Sequence, residues 1–206
     1  AVGARNTIAV GVAAACVGII VGVVTLTGVG FRLGYVVVQT ANDIGAFFGS
    51  FWPLSIFGVD KLALFFSLIL IAIACIIMGA GIPTTATYII LVAVAAPALS
   101  LMGVEPLVSH FFVFYYGVLA DITPPVALAA YAASGISGSN PFTTGNTAFR
   151  LGIAKALVPF VFVYSPSLLL VADGFSWQTF SITFLGALCG IGLLGAAFTG
   201  YLIKTI

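Results

Sequence analysis

The stretch Leu62–Met78 contains no charge and, apart from Ser67, no hydroxyl or amide side chain. No water-soluble domain leaves such a run uncovered, and a bilayer-crossing helix needs about 20 mostly apolar residues. The stretch is not alone. Thr7–Val29, Tyr88–Leu101 and a final run at about 180–203 are likewise free of charge, and Leu151–Val171 is mostly apolar with one charge, Lys155. Composition points in the same direction, because 62% of the 206 residues are hydrophobic and only 5% are charged. A soluble domain carries roughly 25% charged residues. Six basic and five acidic side chains cannot wet the surface of this chain, so lipid is the solvent for most of it. The expected fold class is an all-α polytopic membrane protein.

The same numbers exclude other classes. A net charge of +1 leaves no basic stripe for nucleic acid, and no polybasic run marks a lipid-headgroup cluster. Cys16, Cys75 and Cys189 lie far apart in apolar stretches, without CxxC or Cys/His spacing. Neither zinc nor a disulfide framework is expected, and the three read as small apolar residues of helices. The chain opens AVGARNTIAV, without an initiator Met or a basic region ahead of a cleavage site. The expectation is that residue 1 lies inside a longer chain.

Along the chain, a helix is expected at 7–29. The stretch 33–59 is punctuated by Gln39, Asn42, Asp43, Ser50 and Trp52-Pro53, and reads either as a poor spanning helix or, preferably, as an interfacial arm with Trp52 and the Phe pairs at headgroup depth. Two apolar limbs within 61–101 are joined by GAGIPTT at 79–85. They are either two full spans with a tight turn or a re-entrant hairpin. A broken helix is expected at 106–134, a polar loop at 135–149, a closing helix at 151–171, and one further transmembrane helix in 172–206. Arg150, Lys155 and Lys204 fall on one side if the last two helices both cross, which by the positive-inside rule is the cytoplasmic side.

Two breaks carry the chemistry. An unpaired backbone group costs several kcal/mol in hydrocarbon, so irregular backbone there lines a cavity or is buried in protein. The first break is Gly79-Ala80-Gly81-Ile82-Pro83-Thr84-Thr85. Its glycines free the backbone and Pro83 removes a donor. Carbonyls at the end of the first limb, together with the Thr84 and Thr85 hydroxyls, make a cage of neutral oxygens suited to Na⁺. The second break is Asp121-Ile122-Thr123-Pro124-Pro125. Consecutive prolines deprive the carbonyls around Tyr116–Ala120 of their partners four residues on. Asp121 is an acid inside a span, and such a residue marks a functional site by default. The candidate ion- or substrate-binding residues are Gly79, Gly81, Pro83, Thr84, Thr85, Asp121, Thr123, Pro124 and Pro125.

Other features read as structural. Pro97, Pro159 and Pro166 are expected kinks. The sole histidine, His110, sits near the interface, Glu105 is a solvated loop acid, and Gly186–Gly190 is a helix-packing spacing. Ser134-Gly135 has the look of an intramembrane serine protease motif. It lacks the histidine on a later helix that such a protease needs.

At the two breaks the sequence resembles a known family. The stretches GIIVGVVTLTGVG (18–30), MGAGIPTTATYIILVAVAAPAL (78–99), HFFVFYYGVLADITPPVALAAYAASGISG (110–138) and AFRLGIAKALVPFVFVYSPSLLL (148–170) are similar to the large membrane subunit of tripartite ATP-independent periplasmic (TRAP) transporters. The similarity is to the fused-permease form paired with TAXI-type binding proteins. It implies an elevator-type Na⁺ symporter of two inverted repeats, of which this chain is the second, C-terminal one. It further implies a re-entrant hairpin at 61–101, and one Na⁺ held by oxygens around Gly79–Thr85 and Asp121–Pro125. Many relatives carry a small residue where Asp121 stands, so the carry-over rests first on Thr123, Pro124 and Pro125. The implied partners are a periplasmic substrate-binding protein, a small membrane subunit or its fused equivalent, the first repeat and the lipid bilayer. The implied place is a bacterial or archaeal inner membrane.

The resulting expectation is uptake of a small organic acid driven by a Na⁺ gradient. No cofactor other than the coupling ion and no enzymatic step are expected. An anion:cation symporter working without a binding protein, or a non-transporting membrane scaffold, are the alternatives.

Overall fold

The structure is a computed structural model. It describes residues 2–202 and 204–205 except Trp52, Leu54, Ser55, Phe57, Gly81, Pro83 and 171–174. The protein is all-α. Its helices are α1 (Val2–Thr27), α2 (Val29–Gly49), α3 (Val59–Gly79), α4 (Thr84–Leu101), α5 (Pro106–Ala120), α6 (Leu128–Ser137), α7 (Pro141–Gly152), α8 (Leu157–Tyr164) and α9 (Trp177–Thr199). Extended structure among the described residues is a two-residue antiparallel bridge after α9, Tyr201 facing Thr205.

Four helical runs are long and apolar enough to cross a membrane: α3, α4, the run Pro141–Tyr164 and α9. The limb Gly18–Thr27 and α2 together are also apolar enough, but they meet at a bend of 66°, and count as a fifth run only if the bent pair is one span. The bend falls on Gly28, at φ +66°, a left-handed conformation that glycine takes at no steric cost. The chain is therefore a multi-pass membrane protein.

Helices α2 to α5 form the centre. In α3 the buried residues Leu68, Ile71, Ala72 and Cys75 recur at helical spacing. They meet Leu91, Ala95, Ala98 and Leu99 of α4 and Phe112, Val113, Tyr116 and Leu119 of α5. The buried face of α2 consists of Gly30, Gly34, Ala41 and Gly45. A Cβ at Gly34 would lie 3.1 Å from the Ala98 backbone, one at Gly45 would lie 2.9 Å from the Ala63 nitrogen, and one at Gly30 would strike the Ala93 carbonyl. Such small-residue contacts let membrane helices approach backbone to backbone. Outside this centre α1 lies on α4, α6 on α7, and α9 on the α7–α8 run.

Several sequence expectations need correcting. The first helix begins at Val2 rather than residue 7 and ends at Thr27 rather than 29. Residues 33–49 of the expected arm belong to α2, which starts earlier, at Val29, and Trp52, the expected headgroup anchor, lies outside the described residues. The polar loop 135–149 is mostly helix. Asn140 caps α7 by accepting the Thr143 N–H at 3.1 Å, and Pro141 takes the first helical position, where its missing N–H costs nothing. The closing helix accordingly starts ten residues earlier, at Pro141, and runs through a 3₁₀ turn (Ile153–Ala156) to Tyr164. It stops before residue 171 because Pro166 opens a separate 3₁₀ turn, Pro166–Leu169. The last helix covers Trp177–Thr199 rather than 180–203.

Candidate ion and substrate site

The two breaks, far apart in sequence, meet in space. Helix α3 ends at Gly79, buried against the end of α5. A Cβ there would lie 3.0 Å from Ala120 Cβ, 3.1 Å from Thr87 Cγ2 and 3.5 Å from the Gly117 carbonyl oxygen. Only glycine lets the first limb come so close to α5. The chain then turns, with Ile82 N–H donating to the Gly79 carbonyl at 3.4 Å, and α4 starts at Thr84. The Thr84 hydroxyl donates to Asp121 Oδ2 at 3.3 Å. Thr84 and Thr85 are exposed, while Asp121 is half-buried. Gly81 and Pro83 lie outside the described residues.

The second break runs from Asp121 to Ala127, between α5 and α6. Here one expectation changes. The carbonyls of Val118, Leu119 and Ala120 are not left bare, because Asp121, Ile122 and Thr123 donate their N–H groups to them at 3.3, 3.2 and 3.1 Å. The last turn tightens to a three-residue period, as helix ends commonly do. The Thr123 hydroxyl also turns back, donating to the Leu119 carbonyl at 2.7 Å rather than reaching the tip of the first break. Leu119 thus accepts twice, whereas the Val118 and Ala120 carbonyls each keep a second lone pair. Pro124 and Pro125 are joined by a cis peptide bond, and Pro125 is exposed.

Residues that the sequence reading passed over hold this arrangement. Buried Thr87 donates its hydroxyl to the Ile82 carbonyl at 3.1 Å, and its methyl group faces both Gly79 and Gly117. Its place one turn after Thr84 was the available signal. Tyr131 of α6 reaches back to the Pro125 carbonyl at 2.7 Å, while Ala129 N–H donates to the Asp121 carbonyl at 3.1 Å. Ile122 rests on Gly152 at the end of α7, where a Cβ would collide with it. Tyr116 donates to the Ala156 carbonyl at 2.8 Å, tying α5 to the closing run. No local pattern announces these last two contacts.

The other singled-out residues lie elsewhere. His110 Nδ1 is 2.7 Å from the Tyr88 hydroxyl, beside a cleft of about 500 Å³ on α4 and α5. Glu105 is the exposed N-cap residue of α5. Gly190 packs on Leu157, but a Cβ at Gly186 would meet nothing. Neither of the two larger clefts is lined by a residue of 79–85 or 121–125. Among the described residues no three His, Cys, Asp or Glu side chains converge. The oxygens at the junction are thus hydroxyls, backbone carbonyls and one carboxylate, a hard-donor set suited to an alkali or alkaline-earth cation.

Searches of curated proteins and of solved structures return no match. A family model, Tripartite ATP-independent periplasmic transporter, DctM component, matches residues 1–175, which include both breaks and every helix except α9. This chain belongs to the DctM component family of tripartite ATP-independent periplasmic transporters.

Proposed function

We propose that the chain is the second-repeat part of a Na⁺-coupled TRAP-type permease that imports a small organic acid. The junction of the two breaks is its cation site. The reading rests on one observation above all: Thr84 and Asp121 lie within hydrogen-bond distance across 37 residues. This brings two irregular segments, each between apolar helices, to a common point. Their oxygens are the donors a monovalent cation takes in place of water. The Thr84 hydroxyl and Asp121 carboxylate would ligate the ion, helped by carbonyls at the ends of α3 and α5. The buried contacts of Gly79 and Thr87 hold the two segments together. The α4 N-terminus, carrying the positive end of its dipole, faces the same region and suits a substrate carboxylate. No Arg or Lys lies in either break, so any further charge for the substrate would come from the other repeat.

An elevator mechanism, delivery by a periplasmic binding protein, a small membrane subunit and a place in a bacterial or archaeal inner membrane complete the reading. The 66° departure of α2 from α1 supports an arm that lies across the bilayer rather than through it. The Arg150 contact with Phe198 sets Arg150 at the end of α9 that leads to Lys204. This favours one cytoplasmic side for both.

The test is uptake into proteoliposomes containing the complete transporter. Uptake should require the binding protein and collapse when external Na⁺ is replaced by choline. Uptake that ignores Na⁺ but follows pH would move Asp121 to a proton-carrying role. Uptake without any binding protein would point to a symporter that works alone.

A further inference from the structure

A second cleft, of about 570 Å³, has no part in the cation site. Phe65 and Ile69 of α3, Leu157 and Phe160 of α8, and Leu194 and Phe198 of α9 line it. Helix α9 starts two residues beyond the segment that matches the family model, and its one buried residue is Ala196. Two polar contacts join α9 to the α7–α8 run. Arg150 donates Nε and Nη2 to the Phe198 carbonyl at 3.3 and 3.0 Å. Beyond the other end of α8, the Ser165 and Thr183 hydroxyls lie 2.9 Å apart. From Arg150 to Ser165 the chain rises on the order of 20 Å, at about 1.5 Å per residue. That is more than half of the ~30 Å hydrocarbon core, so the cleft is about as deep as one leaflet.

The shape and chemistry restrict the occupant. Contacts at both ends fix α9 beside α8, so no helix of about 10 Å diameter can enter between them. A single hydrocarbon chain can. The walls are aliphatic and aromatic except for Ser165, and Arg150 stands beside the Phe198 end. A guanidinium has five N–H donors in a fixed fork, and Arg150 commits two of them to Phe198. The remaining three, on an exposed side chain, can hold a phosphate oxygen pair. Arg150 does not line the cleft but bonds to the carbonyl of Phe198, which does, and one guanidinium beside an apolar cleft matches one phosphate ester, whereas a polybasic surface gathers many headgroups.

We propose that this cleft is a binding site for a single phospholipid. One acyl chain lies between α8 and α9 and the phosphate sits on Arg150. The lipid supplies packing that α9 lacks, and the site does not depend on the cation reading above.

Native mass spectrometry of the complete protein tests this. The protein is stripped of lipid in detergent and then supplied with dioleoyl phosphatidylglycerol. The wild type should keep one phospholipid per chain. Arg150→Gln should reduce retention at least fivefold. Leu194→Trp, which fills the cleft and leaves both polar contacts intact, should do the same with unchanged helix content by circular dichroism. Inorganic phosphate at equal concentration should not displace the lipid, because it has no chain to bury. Wild-type protein that keeps no phospholipid overturns the proposal. So does wild-type retention in either variant, or displacement by phosphate alone.

Discussion

The Thr84 hydroxyl donates to the Asp121 carboxylate at 3.3 Å, joining the first residue of α4 to the residue that caps α5. A bound cation would lie between these two oxygens, the hydroxyl keeping its proton and turning it away. Thr84→Val keeps the shape of the side chain and removes the oxygen. Losing one such partner is worth about 1 kcal/mol, or roughly a fivefold change at 1.4 kcal/mol per decade. The Na⁺ concentration for half-maximal uptake should rise by about that factor, and Thr84→Ser should restore it. An unchanged Na⁺ dependence in Thr84→Val would remove this hydroxyl from the site.

Asp121→Asn separates charge from hydrogen bonding. The amide oxygen can still accept from Thr84, so the fold should hold and the melting temperature should move little. The negative charge is lost, and the Na⁺ requirement should rise tenfold or more if the carboxylate is a ligand. Sodium titration of proteoliposome uptake measures this directly. Equal Na⁺ curves for variant and wild type would assign Asp121 a purely structural part.

Tyr131 braces the second break through its bond to the Pro125 carbonyl. Tyr131→Phe removes a hydrogen bond worth about 1 kcal/mol and little else. The amides of Ala127 and Ala129, which donate to the Thr123 and Asp121 carbonyls, should exchange with deuterium about fivefold faster. Exchange elsewhere in α5 should stay as it was.

Gly30→Val places a branched side chain against the Ala93 carbonyl, where even a single carbon does not fit. Overpacking of this kind costs about 1–3 kcal/mol. For a protein of this size that corresponds to a fall of several degrees in melting temperature, measurable in detergent. Gly186→Ala, at a position with open space around it, should leave the melting temperature within about a degree of wild type.

The sequence made the apolar runs and both interruptions legible, because Gly, Pro and charge act on the residues beside them. Gly79 and Asp121 close their helices at the positions where the local chemistry breaks. Helix α7 escaped notice for the opposite reason. Its polar residues look like a loop, and only Asn140-Pro141, a cap followed by a first-turn proline, signals a helix start. The pairing of Thr84 with Asp121 was out of reach of any local argument, since it follows from how α4 and α5 pack. The same holds for the Tyr116–Ala156 and Ile122–Gly152 contacts. The Thr123 hydroxyl proton goes to the Leu119 carbonyl, a bond that depends on how the last turn of α5 closes and that composition does not show.

The seat of Ile122 on Gly152 also bears on how the protein senses its surroundings. Ile122 adjoins Asp121 in the chain, and Gly152 stands two residues from Arg150, which bonds to the carbonyl of Phe198 beside the second cleft. A tilt of the closing run therefore has a packed path of very few residues to the Asp121 carboxylate. If Asp121 holds the coupling ion and Arg150 a lipid phosphate, as proposed above, ion affinity would differ between bilayers with and without a headgroup that Arg150 can hold.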